Sequence, residues 1–153
     1  MKNTLRITTG ISVLILFTVF TAFTFKGGDK GGKSKFIEGK KYTVQFYEMK
    51  PAGRGKAQPS EIQIKGGKIL CNLTEDKLNC GPATYKVTLD STYTEDETEM
   101  HMVSFEGEFT EEKNEFKWEA TVINYDIDGT IVQSKSGVEK KKFEFSGSEK
   151  VKK

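Results

Sequence analysis

The sequence predicts an all-β fold: an antiparallel meander of about eight short strands forming a small barrel, with a two-layer β-sandwich as the alternative, behind an N-terminal signal or anchor helix. Three observations predict it. From Phe36 onward apolar residues recur with a period close to two, the spacing of a strand that buries one face. Eleven Phe, five Tyr and one Trp suit a pleated, half-buried surface, while Ala and Leu are scarce. Turn residues punctuate the chain at short intervals, and no segment holds a helical period.

Residues 1–25 read as a signal peptide or short membrane anchor. Lys2 and Arg6 precede the apolar run Ile11–Phe25, the layout of a secretory signal. As a helix that run spans roughly 22 Å, short of a hydrocarbon core of about 30 Å. Ala22-Phe23-Thr24 is an imperfect cleavage site, so a cleaved signal and a retained anchor both stay open. No cysteine follows the run, which excludes a lipid-modified cysteine anchor there. Residues 26–35, KGGDKGGKSK, are expected to form a flexible Gly/Lys linker, because they have nothing apolar to bury.

The all-β domain is placed at 36–153. Its first strand carries Tyr42, Val44 and Phe46 on one face and is expected to break at Pro51–Pro59, a Pro- and Gly-containing loop holding Arg54. Ile62 and Ile64 mark a second strand, Gly66-Gly67 a hairpin turn, and Ile69, Cys71 and Leu73 a third strand. An irregular stretch runs to Pro82. Tyr85, Val87 and Leu89 then align as a fourth strand, and the acidic run Glu95–Glu99 leads to a fifth with His101, Val103, Phe105 and Phe109 on one face. The sixth has Phe116, Trp118, Ala120 and Val122 alternating with polar residues. Asp128-Gly129 predicts a hairpin turn, and Ser136-Gly137 separates the last two strands, the second carrying Phe143 and Phe145. Short links between neighbours imply an up-and-down order, and closure of eight strands would remove exposed edges.

Eight meandering strands behind a signal segment resemble the lipocalin-like group of small secreted barrels. The resemblance covers roughly 36–153 and lies in the layout. Where lipocalins carry G-x-W this chain has Gly39-Lys40-Lys41-Tyr42, and Trp118 lies far downstream. It implies a barrel but names no ligand.

The chemistry is read mostly by exclusion. The chain has 24 basic and 22 acidic residues, and Lys2 and Arg6 belong to the N-terminal segment, so the remainder balances. That neutrality, and Arg54 as the only later arginine, argue against a nucleic-acid partner. His101 is the lone histidine, too few for a zinc site, and no nucleophile is spaced to suggest a triad. Asn124, Asp126, Asp128 and Gly129 have the spacing of a calcium loop, but Lys135 stands where the bidentate Glu belongs. No metal, no cofactor and no enzymatic activity are therefore expected. Cys71 and Cys80, an even pair in an exported chain, predict a disulfide.

The expected function is an exported, periplasmic or extracellular, non-enzymatic binding module. One form holds a small apolar or amphipathic ligand in the barrel, with Tyr42, Phe46, Tyr85, His101, Phe105 and Trp118 as lining candidates. The alternative is an envelope-associated interaction or inhibitor domain that captures a protein partner through its loops, Arg54 among them. Membrane contact is expected only through residues 1–25, if these stay attached.

Overall fold

Alternating buried and exposed residues organise the described part of the chain into eight antiparallel strands and one short helix. The computed structural model describes residues 32–150. In chain order the elements are β1 (Lys41–Lys50), β2 (Gly53–Lys65), β3 (Lys68–Cys71), α1 (Asn72–Leu78), β4 (Ala83–Glu95), β5 (Thr98–Glu111), β6 (Asn114–Ile123), β7 (Asp126–Lys135) and β8 (Val138–Glu149). Each strand pairs with the next, and β8 returns to β1 from Tyr42↔Glu149 to Met49↔Lys142, so the order closes into a barrel rather than two stacked sheets. The expected signal or anchor helix lies outside the described residues, among which no helix is long and apolar enough to cross a membrane.

Closure depends on a glycine in β8. A Cβ at Gly147 would collide with the Thr43 carbonyl oxygen and the Val44 Cα of β1, so any side chain there would force the two strands apart. Inside the ring, Phe46 and Phe145 lie 5.1 Å apart, Trp118 meets Phe145 edge-on at 5.8 Å, and Tyr85 and Phe105 are 5.5 Å apart. Ile62, Ile64, Ile69, Val103, Val122, Ile127 and Ile131 fill the spaces between them. The interior is a packed core, in which each fully buried large apolar side chain stabilises by about 1.5–3 kcal/mol.

The weak point of the ring is β3. It pairs with β4 only at Lys68↔Thr84 and Ile69↔Ala83. Two irregular elements pack beside it. At one end the strap 32–40 folds against the barrel: Ile37 is fully buried, Gly39 N–H donates to Ile64 O, and Val87 N–H donates to Gly32 O. On the flank, α1 buries Leu73 and Thr74.

Several expectations need correcting. The expected break at 51–59 is confined to the turn Pro51-Ala52, and β2 already starts at Gly53. Pro59 is accommodated because β2 pairs there with β1 alone, leaving its missing N–H on the free side. Leu73 and the irregular stretch behind it form α1, with Glu75 in its first turn, Lys77 in its last, and Asn79 closing it in the left-handed conformation. Asp128 and Gly129 lie within β7, and the turn is Asn124-Tyr125, with Asn124 at positive φ. A Cβ at Gly129 would strike the Phe145 ring, so packing, not turning, requires glycine there. Finally, Ser34 is buried, so the ordered domain begins inside the expected linker.

Candidate functional site

Five of the six lining candidates form part of one continuous core. Tyr42, Phe46, Tyr85, Phe105 and Trp118 face the interior and are at most 6 % exposed. Their polar atoms differ: the Tyr85 hydroxyl is hydrogen-bonded, while the Tyr42 hydroxyl and Trp118 Nε1 are buried without a hydrogen-bond partner among the described residues. The Tyr85 hydroxyl donates to Glu38 Oε2 at 2.8 Å, and burial, followed by that bond and the Glu38 charge, raises its pKa. Burial, with the charge of Glu149 adding to it, likewise raises the Tyr42 phenol. A ligand inside the barrel would have to displace these rings.

His101, the sixth candidate, sits at the strap end instead. A bulge between Val87 and Leu89 moves Leu89 outward opposite Ser104 and brings Asp90 inward opposite Val103. Asp90 then lies diagonal to His101, and its Oδ1 is 2.6 Å from His101 Nε2. The Ser34 hydroxyl donates to Asp90 Oδ2 at 2.6 Å, and Phe36 stacks on the imidazole at 3.9 Å with an 11° interplanar angle. Asn124 fixes the backbone, accepting from His101 N–H at 2.8 Å and donating its own N–H to His101 O at 2.9 Å. Lys40 lies over the outer strap, 4.0 Å from the Phe36 ring centre and 2.8 Å from Glu149 Oε2.

Ser, His and Asp are thus neighbours, but in the wrong order for nucleophilic chemistry. A triad needs the imidazole between the hydroxyl and the carboxylate, so that it can take the hydroxyl proton. Here the carboxylate stands in the middle, and the Ser34 hydroxyl donates its hydrogen bond to Asp90 rather than to the imidazole. The cluster binds the strap to β4 and β5. Glu38 adds a second fastening, bonding Tyr85 and the Gly66 and Gly67 amides. Burial pushes its carboxyl up, but those three bonds and the Lys33 charge together outweigh burial and hold it below the ordinary carboxylate value.

The expected Cys71–Cys80 disulfide is absent: both residues are buried free thiols. Each sulfur has its own surroundings. Cys71 Sγ lies 3.7 Å from Ser60 Oγ, and the Cys80 thiol donates to the Gly81 carbonyl at 3.5 Å. The helix α1, unforeseen in the sequence reading, lies between them in the chain. Burial, with the neighbouring Cys71 adding to it, pushes the Cys80 thiol up to about 12, the opposite of a reactive cysteine.

Outside the barrel there are two kinds of surface. Over β5–β8 lies a shallow groove of about 610 Å³ with Glu106, Glu119, Asp128 and Glu144 among hydroxyl side chains. Its strands are paired on both sides, and Glu144 is held by Arg54 at 2.7 Å. Arg54 is therefore not in a loop: it stands in β2, with its guanidinium carbon 4.4 Å from the Tyr47 ring centre. The second surface is the flank of β2. From Gly53 to Glu61 this strand is in register with β1 alone, since β3 begins to pair only at Ile62. Two clefts run along that flank and meet at Pro59 and Lys77. One, of about 580 Å³, is lined by Glu48, Lys50 and the segment Gly55–Pro59; the other, of about 360 Å³, lies against Asn72, Leu73 and Asp76 of α1.

Among the described residues no group of His, Cys, Asp and Glu could hold a metal ion. In particular, Asp126 and Asp128 sit on a straight strand, where the calcium-loop spacing cannot wrap an ion. Neither a family model, nor a curated protein, nor a solved structure matches this chain.

Proposed function

We propose that this protein is an exported, non-enzymatic binding module that meets a protein partner on the outside of its barrel, at the flank of β2 beside α1. The observation that carries the reading is the incomplete pairing of the ring: Gly53–Glu61 has a paired strand on one side only, in a barrel whose interior is occupied by its own aromatic side chains. Loops and exposed edges on rigid scaffolds are where binding residues concentrate. An eight-stranded barrel fits such a module, but a carried apolar ligand is the less favoured form of it, because Trp118, Phe46 and Phe145 fill the volume it would need.

The test is site-specific photo-crosslinking in the native cells. A photoreactive residue at position 56, on the β2 flank, should trap a partner in the full-length protein. The same residue at position 119, on the outer groove of β6, should not. Crosslinks from position 119 and none from position 56 would refute the reading.

A further inference from the structure

We propose that the free edge of β2 binds its partner by strand addition, taking an extended segment of acidic character as an extra strand beside Gly53–Gln58. This rests on the reading above and adds to it the mode of binding and the chemistry of the partner. Three observations lead to it.

The first is backbone direction. Ile64 N–H donates to Lys40 O, toward β1. N–H groups alternate sides along a strand, so counting back in twos Gln58 also points toward β1, while Ala57, Pro59 and Glu61 turn their backbone groups away from it. Ala57 is exposed, and its N–H and C=O face the flank where no strand lies. Pro59 offers a C=O but no N–H. A partner strand would exchange two hydrogen bonds with Ala57 and donate one to Pro59. It could not zip further toward the strap, because β3 and α1 occupy the flank from there on.

The second is room. The cleft of about 580 Å³ lies along this stretch, bounded by Lys77 of α1. The extra residue that β2 carries between Arg54 and Ala57, opposite Tyr47–Met49, bends the strand, and the turn Pro51-Ala52 sets the far end. The added segment is therefore short and extended, as in other complexes formed on sheet edges.

The third is charge. Lys50 is 4.0 Å from Glu48, and Arg54 is paired with Glu144. Lys56 and Lys77 form no ion pair among the described residues, and Lys77 only donates to Gln58 Oε1 at 2.7 Å. Lysines on an edge disfavour pairing with a second, equally basic edge. The same charge admits a segment with Asp or Glu at alternate positions.

The experiment uses the full-length protein and two labelled synthetic octapeptides, one of alternating valine and glutamate, the other of alternating valine and lysine. Anisotropy titrations at low and high salt give affinity, and amide hydrogen exchange gives the place. The acidic peptide should bind, weaken with salt, and protect the Ala57 amide, while the basic peptide should not bind. Ala57→Pro removes the outward N–H without touching the β1 ladder and should weaken the acidic peptide at least about tenfold. Should Ala57→Pro lose its fold by circular dichroism, the double variant Lys56→Glu, Lys77→Glu replaces it and should shift the preference to the basic peptide. The inference is overturned if neither peptide binds, if folded Ala57→Pro binds the acidic peptide as well as the parent, or if protection appears away from Gly53–Gln58. Crosslinks from position 56 combined with an unprotected Ala57 would leave the partner on this flank but remove strand addition. Absence of those crosslinks would instead remove the reading on which it rests.

Discussion

Replacing Trp118 by alanine tests whether the barrel is filled by its own side chains. Trp118 is 2 % exposed and packs edge-on against Phe145 at 5.8 Å, opposite Gly107 on β5 and Ile131 on β7. A buried tryptophan removes roughly 150–250 Å² from water, which at about 25 cal/mol/Å² is about 4–6 kcal/mol. Residual burial in the unfolded chain trims this to about 3–5 kcal/mol, the usual cost of such a truncation. The midpoint of thermal unfolding should drop by roughly 10–20 °C. Urea unfolding followed by far-ultraviolet circular dichroism measures the loss, since the variant lacks its only tryptophan fluorophore. The deletion also leaves an apolar cavity, so added indole should restabilise the variant and leave the parent unchanged. A loss below about 1 kcal/mol, or a parent stabilised by indole as much as the variant, would refute the reasoning and return the interior to the list of binding sites.

Further outcomes follow from the same packing. Gly147→Ala places a Cβ against the Thr43 carbonyl and Val44 Cα, both backbone, and should cost about 2 kcal/mol or more in urea unfolding. Asp90→Ala removes the acceptor of both Ser34 and His101, so the strap should loosen; faster tryptic cleavage at Lys35 would register it, against an unchanged far-ultraviolet spectrum. Glu38 is held below the ordinary carboxylate value, so its contribution is complete above that value and is lost as pH falls through its own lower pKa. Glu38→Gln should therefore destabilise by about 1–2 kcal/mol near neutrality, with the gap from the parent closing in acid below about pH 4. Neither thiol should react with Ellman's reagent in the native protein, and both should react once it is unfolded; a native mass lower by two hydrogens would contradict the free thiols.

The strands with strict alternation were legible in the sequence. The stretches of β1 and β6 around Tyr42–Phe46 and Phe116–Val122 point inward at every second residue, because burial of one face is a local demand that the pattern records directly. The elements that sequence reading missed are those set by distant partners. Gly53–Pro59 carries the marks of a loop, yet the ladder with β1 overrides them, and only its unpaired side can hold Pro59. Asp128-Gly129 has the chemistry of a turn, but its glycine is required by the Phe145 ring from the neighbouring strand. Asp90 could not be foreseen as the partner of His101, since an unflagged bulge reverses its side. For α1 a signal was present in Glu75, Lys77 and Asn79, but seven residues are too few to show a period. The bridge expected between Cys71 and Cys80 came from their even number in a chain read as exported, which says nothing of how the two thiols are placed.

The most direct test of binding on the outside of the barrel is the intact mass of the full-length protein, purified gently from its own cells and recorded under native and then denaturing conditions. The account predicts that any bound species has the mass of a polypeptide, dissociates on denaturation, and is lost from Ala57→Pro while the parent retains it. A small molecule carried by the parent and kept by Ala57→Pro would place the ligand in the interior and contradict the account.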